Sequence, residues 1–141
     1  MVEWAGIVLG LASLAVSVVV AVRQHRLAAA QHRLATSQQA LAAREQASLV
    51  WVQHEGWPED NEGGFWTATV VNGSQGPIFE VDVSAMFGNV EESQSVGSGP
   101  LPPGARERIE GDGYPDWLEL SFTDAQGNRW VRRDDGWLRN D

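Results

Sequence analysis

The chain has no cysteine and no lysine among its 141 residues, and only three histidines. Without cysteine there can be no disulfide and no thiolate metal site, and the redox compartment stays open. Without lysine every side-chain cation is one of ten arginines, which with the abundant Ala and Gly suggests a high-GC bacterial gene rather than a function. Proline first appears at Pro58, and neither Pro nor Gly occurs from Leu11 to Glu55. Nothing in that stretch interrupts a helix.

Charge of one sign is also scarce where it would matter. Residues 1–48 carry Arg23, Arg26, Arg33 and Arg44 against Glu3 and Glu45, a net of +2, and the remainder holds −11 of the total −9. So acidic a C-terminal part repels phosphate backbones, which removes nucleic acid from the expected partners.

What the chain does have is a long apolar opening. Ala5 to Val22 (AGIVLGLASLAVSVVVAV) contains no charge and only two polar side chains, Ser13 and Ser17. Eighteen residues at helical rise reach roughly 27 Å, near the hydrocarbon thickness of a bilayer. A cleaved signal peptide needs a basic start and a small-residue cleavage site. The early side-chain charge is Glu3, although Ala28–Ala30 mimics such a site. Residues 1–22 are therefore read as a transmembrane anchor contacting the lipid bilayer. The basic residues on its C-terminal flank place the rest of the chain in the cytoplasm, at the bacterial inner membrane. Arg23, Arg26 and Arg33 are expected at anionic lipid headgroups, with His25 and His32 beside them. Within the span Gly6, Gly10, Ser13 and Ser17 form a small-residue face, opening with GxxxG, that permits close helix association.

Residues 23–48 read as a helical stalk. QHRLAAA, QHRLATS and QQALAAR repeat at seven, placing Leu27, Leu34 and Leu41 on one stripe with Ala28, Ala35 and Ala42 alongside. Such a seam predicts a coiled-coil-like homo-oligomer. A lone exposed helix is the alternative, because Gln31, Gln38 and Glu45 occupy the other seam position. The repeat accounts for both histidines, so no metal is expected on them.

From Leu49 the hydrophobic period falls to two. Strands are expected at 49–54, 65–72, 77–87, 106–110, 117–123, 128–133 and 136–139, with 88–104 a mobile loop closed by Leu101-Pro102-Pro103-Gly104. Asn72–Gly76 and Asp124–Asn128 have hairpin-turn chemistry. The fold class predicted is α+β by segregation, a long N-terminal helix followed by an all-β antiparallel sandwich over 49–141. The run VVNGSQGPIFEVDV, the LPPG and the hairpin F-x-D-x-x-G-x-x-W-x-R (Phe122, Asp124, Gly127, Trp130, Arg132) resemble uncharacterised bacterial single-pass membrane proteins with a C-terminal immunoglobulin-like domain. That resemblance spans roughly 70–133 and implies the fold and a binding role.

Catalytic chemistry has little to build on. The domain's one histidine, His54, lies at a strand end with no G-x-S-x-G nearby. Asp112, Asp116, Asp134 and Asp135 lack a D-x-D-x-D-G calcium loop, and no glycine-rich loop leads a helix. No enzyme activity, metal or cofactor is expected. Six of the seven tryptophans fall in the β-domain. Trp66 and Trp117 are the candidate surface for an unknown protein partner, because Trp couples large apolar area with a donor. The function expected is a membrane-anchored, self-associating, non-enzymatic adaptor. A small effector that multimerises to perturb the membrane is one alternative. An extracytoplasmic carbohydrate-binding module, with reversed topology, is the other.

Overall fold

The computed structural model describes residues 2–55 and 64–141, with side chains from Ser17 onward. One helix, α1 (Val2–Ser48), precedes eight strands: β1 (Val50–His54), β2 (Phe65–Asn72), β3 (Phe79–Phe87), β4 (Val90–Ser95), β5 (Arg106–Asp112), β6 (Trp117–Thr123), β7 (Arg129–Arg133) and β8 (Leu138–Asn140). The chain forms two compact units, Met1–Ala42 and Ala43–Asp141.

The first unit is helix, and from Leu11 onward its freedom from Pro and Gly and its richness in Ala, Leu, Gln and Arg favour that state. Leu27, Leu34 and Leu41 are 62%, 63% and 69% exposed on it. Among the described residues no helix is long and apolar enough to cross a membrane. The expected anchor falls largely on residues 1–16, whose side chains lie outside the described part; Gly6, Gly10 and Ser13 are among them.

The second unit begins inside the helix. Ala43 and Ala47, one turn apart, are buried with the β-core. The last turn of the helix is tied to the β2–β3 loop by Gln46 Oε1, which accepts from the Gln75 amide at 2.9 Å. The helix has no basic residue in its last turn. Arg132, 84 residues beyond Ser48, takes that place: its Nη1 donates to the Ser48 carbonyl and to the Val50 carbonyl at 3.0 Å. A cation on terminal carbonyls satisfies acceptors that the helix leaves open and opposes its dipole. Burial lowers the Arg132 pKa, but a guanidinium stays charged at any physiological pH. Arg132→Met keeps the apolar stem and removes both bonds. It is expected to cost about 1.5 kcal/mol and to speed amide exchange over 43–48, as urea unfolding and hydrogen exchange would read.

The strands make two antiparallel sheets, β1-β2-β5 and β4-β3-β6-β7-β8, a sandwich-like body. Alternation decides which side chains meet between them. Val50, Val52, Ala68, Val70 and Ile109 come from the first sheet, and Val81, Val83, Ala85, Leu118, Leu120, Phe122 and Trp130 from the second.

The stretch expected to be a mobile loop holds β4, which pairs with β3 from Asp82↔Ser95 to Phe87↔Val90. All six residues of β4 (VEESQS) are exposed, so no apolar alternation marks it. Its sequence mark is the two-residue Gly88-Asn89 turn, with Gly88 at φ 62°, a tight-hairpin arrangement.

At the β6–β7 turn Asp124 Oδ1 accepts from the amides of Gln126 and Asn128, both at 2.9 Å. Its Oδ2 accepts from Asn128 Nδ2 at 2.9 Å and Trp130 Nε1 at 2.8 Å. The Asp and Trp of the F-x-D-x-x-G-x-x-W-x-R run thus bond each other. Burial raises the Asp124 pKa, but these bonds outweigh it and leave it below 3.8. A carboxylate with a depressed folded-state pKa stabilises above its unfolded value and loses that contribution as pH falls through the folded one. Wild type is therefore expected to exceed Asp124→Ala in stability at neutral pH. That gap narrows in urea titrations as the pH falls through and below the ordinary carboxylate range.

Candidate functional site

The site with the most chemistry is a cleft built by one irregularity in β3. Register with β6 runs Phe79↔Thr123 and then Asp82↔Ser121, so Glu80 and Val81 together oppose Phe122. Two residues against one is a β-bulge, which bends a strand and re-aims its side chains. Glu80 sits at φ 49°, the left-handed region where a side chain costs on the order of 1 kcal/mol.

The bulge is held from both sides. Ile78 and Leu101 exchange backbone bonds of 3.0 and 2.8 Å, and the Val96 amide donates to the Val81 carbonyl at 2.7 Å. The segment between those clips, Gly97-Ser98-Gly99-Pro100, stands away from β3. It leaves an open cleft of about 600 Å³, lined by Phe79, Glu80, Asp82, Ser95 and Arg129. A Cβ built on Gly97 or Gly99 meets nothing within 4 Å, so the rim has free space around it.

The polar groups are already oriented. Glu80 Oε2 accepts from Thr123 Oγ1 at 2.9 Å and lies 3.9 Å from Arg129 Nη1. Ser95 Oγ donates to Asp82 Oδ1 at 2.5 Å. Arg129 Nη2 reaches Ser121 Oγ at 3.5 Å. Phe79 is 38% exposed at the mouth, and Val81 and Val96 are buried beneath. Acceptors, donors and a ring face therefore share one open concavity, an arrangement suited to reversible binding of a polar ligand.

A second surface lies on the outer face of the five-stranded sheet. The Arg133 guanidinium sits 5.3 Å from the Trp117 ring centre and 4.8 Å from that of Trp137, and Arg139 lies 5.3 Å from Trp137. Glu119 holds Arg133 at 3.4 Å and Asp141 holds Arg139 at 3.0 Å. Each stacked cation–ring pair is worth about 0.5–1 kcal/mol at an exposed position.

Trp117 is thus half-buried on an outer face, whereas Trp66 is not a surface residue at all. It is 3% exposed in the core, its indole flat against Gly111. The expectation of a partner surface at Trp66 is corrected by its place on the inward face of β2, alternating with Thr67 and Thr69. Sequence reasoning passed over Glu80, Arg129 and Trp137. Only Trp137 left a trace, the alternation of Trp and Arg through Trp130–Arg139.

Arg23, Arg26, Arg33, Ala28, Ala35 and Ala42 are exposed along α1, as is Ser17. His54 ends β1. Among the described residues no group of three or more His, Cys, Asp or Glu is placed to hold a metal ion. No protein-family model matches the chain, and no curated protein matches it either.

Proposed function

We propose that this protein is a membrane-anchored, self-associating interaction protein that presents an acidic β-domain to a protein partner in the cytoplasm. The observation that carries this reading is the stripe of Leu27, Leu34 and Leu41, each more than 60% exposed at seven-residue spacing. Three leucines in water on one helix face cost burial free energy of about 1.5–3 kcal/mol each, which packing against the same stripe of a second copy recovers. The apolar run from Ala5 to Val22 supports the anchor, with Arg23, Arg26 and Arg33 at the headgroups of the inner leaflet. The Gly6, Gly10, Ser13 and Ser17 face extends the association into lipid.

The strand order supports an immunoglobulin-like identity for the domain. β1-β2-β5 corresponds to strands A-B-E, and β3-β6-β7 to C-F-G. β4 lies beside β3 rather than beside β5, so the fourth strand has changed sheets relative to the constant-type arrangement. The Trp117–Arg133–Trp137 stack is the face offered to the partner, since Trp and Arg dominate binding hot spots.

The absence of native cysteine makes the placement directly testable. Ser98→Cys puts one thiol on the exposed rim loop. In intact cells it is expected to resist a membrane-impermeant maleimide until lysis, and the protein is expected to stay with membranes after alkaline washing. Labelling of intact cells reverses the orientation, and release by the wash removes the anchor.

A further inference from the structure

The cleft at the β3 bulge has no part in anchoring, in self-association or in the tryptophan–arginine face. We propose that it is a binding site for a neutral saccharide, with Phe79 as the stacking platform, Glu80 and Asp82 as acceptors and Arg129 as donor.

The charge balance selects the ligand class. Two carboxylates and one guanidinium leave the cleft at −1 inside a domain of large negative charge, which disfavours phosphates and carboxylates. A ligand cation meets Arg129 already beside Glu80 at 3.9 Å. A neutral polyol fits both halves. Vicinal hydroxyls donate to the carboxylates and accept from the guanidinium, and charge-assisted bonds of this kind are roughly twice as strong as neutral ones. The C–H face of a sugar ring lies against the exposed Phe79 ring, where apolar contact needs no charge.

The shape agrees. At about 600 Å³ and open to solvent, the cleft holds one or two sugar rings while leaving their outer hydroxyls wet. The acceptors are fixed before any ligand arrives, Glu80 by Thr123 at 2.9 Å and Asp82 by Ser95 at 2.5 Å. The bulge makes the same point from the backbone. Glycine suits φ 49° better than glutamate, yet the chain places there a carboxylate aimed at the cleft. Strain of this kind is retained where the side chain has work to do.

The test is an amide NMR titration of the full-length ¹⁵N-labelled protein in a detergent with no sugar headgroup. Maltotriose, cellotriose and chitotriose serve as separate probes, each carried to about 10 mM, with a dissociation constant on the order of 1 mM expected for at least one. Saturable shifts at Glu80, Asp82, Ser95, Gly97 and Gly99 support the proposal. Glu80→Gly relieves the backbone strain and Phe79→Ala removes the platform. Each is expected to weaken binding at least tenfold, with the amide spectrum otherwise dispersed as in wild type. Absence of saturable shifts with all three sugars in the wild-type protein overturns the proposal, and so do shifts centred away from the cleft or unchanged binding by Glu80→Gly. These outcomes are independent of membrane anchoring and of oligomeric state, which the maleimide and crosslinking experiments read separately.

Discussion

Asn72→Ala is expected to destabilise the β-domain by about 3–4 kcal/mol, the largest effect of any single polar substitution in it. Asn72 is fully buried at the end of β2. Its Nδ2 donates to the carbonyls of Gly76 at 3.0 Å and Leu101 at 2.9 Å. Its Oδ1 accepts from the Ser74 amide at 3.1 Å and from Ser74 Oγ at 2.6 Å. All four hydrogen-bonding positions of the side-chain amide are used, and the backbone adds Asn72 N to Ala105 O at 3.0 Å and Gly104 N to Asn72 O at 2.7 Å. Truncation removes all four side-chain bonds at once and leaves a void, although the Leu101 carbonyl keeps the Ile78 amide and the Gly76 carbonyl keeps Ser74 Oγ. The cost is the sum of the lost bonds and the cavity. Domains of this size hold about 5–15 kcal/mol in total, so much of the stability goes with one side chain. Leu101 is also a clip of the cleft loop, so ligand binding should fall with it. Urea unfolding reads the first effect, and a loss below about 1 kcal/mol would refute the role given to this network.

Gly111→Ala is the second large effect, through the opposite mechanism. A Cβ on Gly111 would lie 2.5 Å from three atoms of the Trp66 indole. That ring is enclosed by the core and cannot swing into solvent, so the added methyl strains the packing by about 3 kcal/mol. Trp66 Nε1 is buried with no hydrogen-bond partner, so replacing the indole sacrifices no hydrogen bond. Trp66→Leu alone leaves a cavity and costs about 2–3 kcal/mol. In that background Gly111→Ala is expected to cost under about 1 kcal/mol, because the methyl enters the space just vacated. Additive costs in the double mutant would mean that the glycine serves its own backbone and not the ring.

Both effects rest on contacts that the sequence conveys unequally. Period-two alternation marked β3 and β6, because a strand with one covered face must alternate. It missed β4, where an edge strand exposed throughout carries no apolar mark and only Gly88-Asn89 announces the hairpin. Trp66 was legible in principle. Its neighbours two residues apart, Ala68 and Val70, are core residues, and Thr67 and Thr69 share the other face. The cleft was not legible. A bulge shows as one extra residue against its partner strand, and pairing register is absent from a single strand's pattern. Arg132 docks against the helix end across 84 residues of sequence, a separation no local signal spans. The leucine stripe was plain from its spacing, and its exposure on the isolated helix leaves the partner to be measured.

That measurement is cysteine crosslinking in the stalk, on a chain with no background thiols. Leu34→Cys lies on the seam, and Thr36→Cys lies on the opposite face of the same helix. Under mild oxidation of membranes, Leu34→Cys is expected to give a disulfide-linked dimer in high yield and Thr36→Cys very little. Equal yields, or monomer from both, would contradict self-association through this helix and leave the β-domain on a solitary stalk.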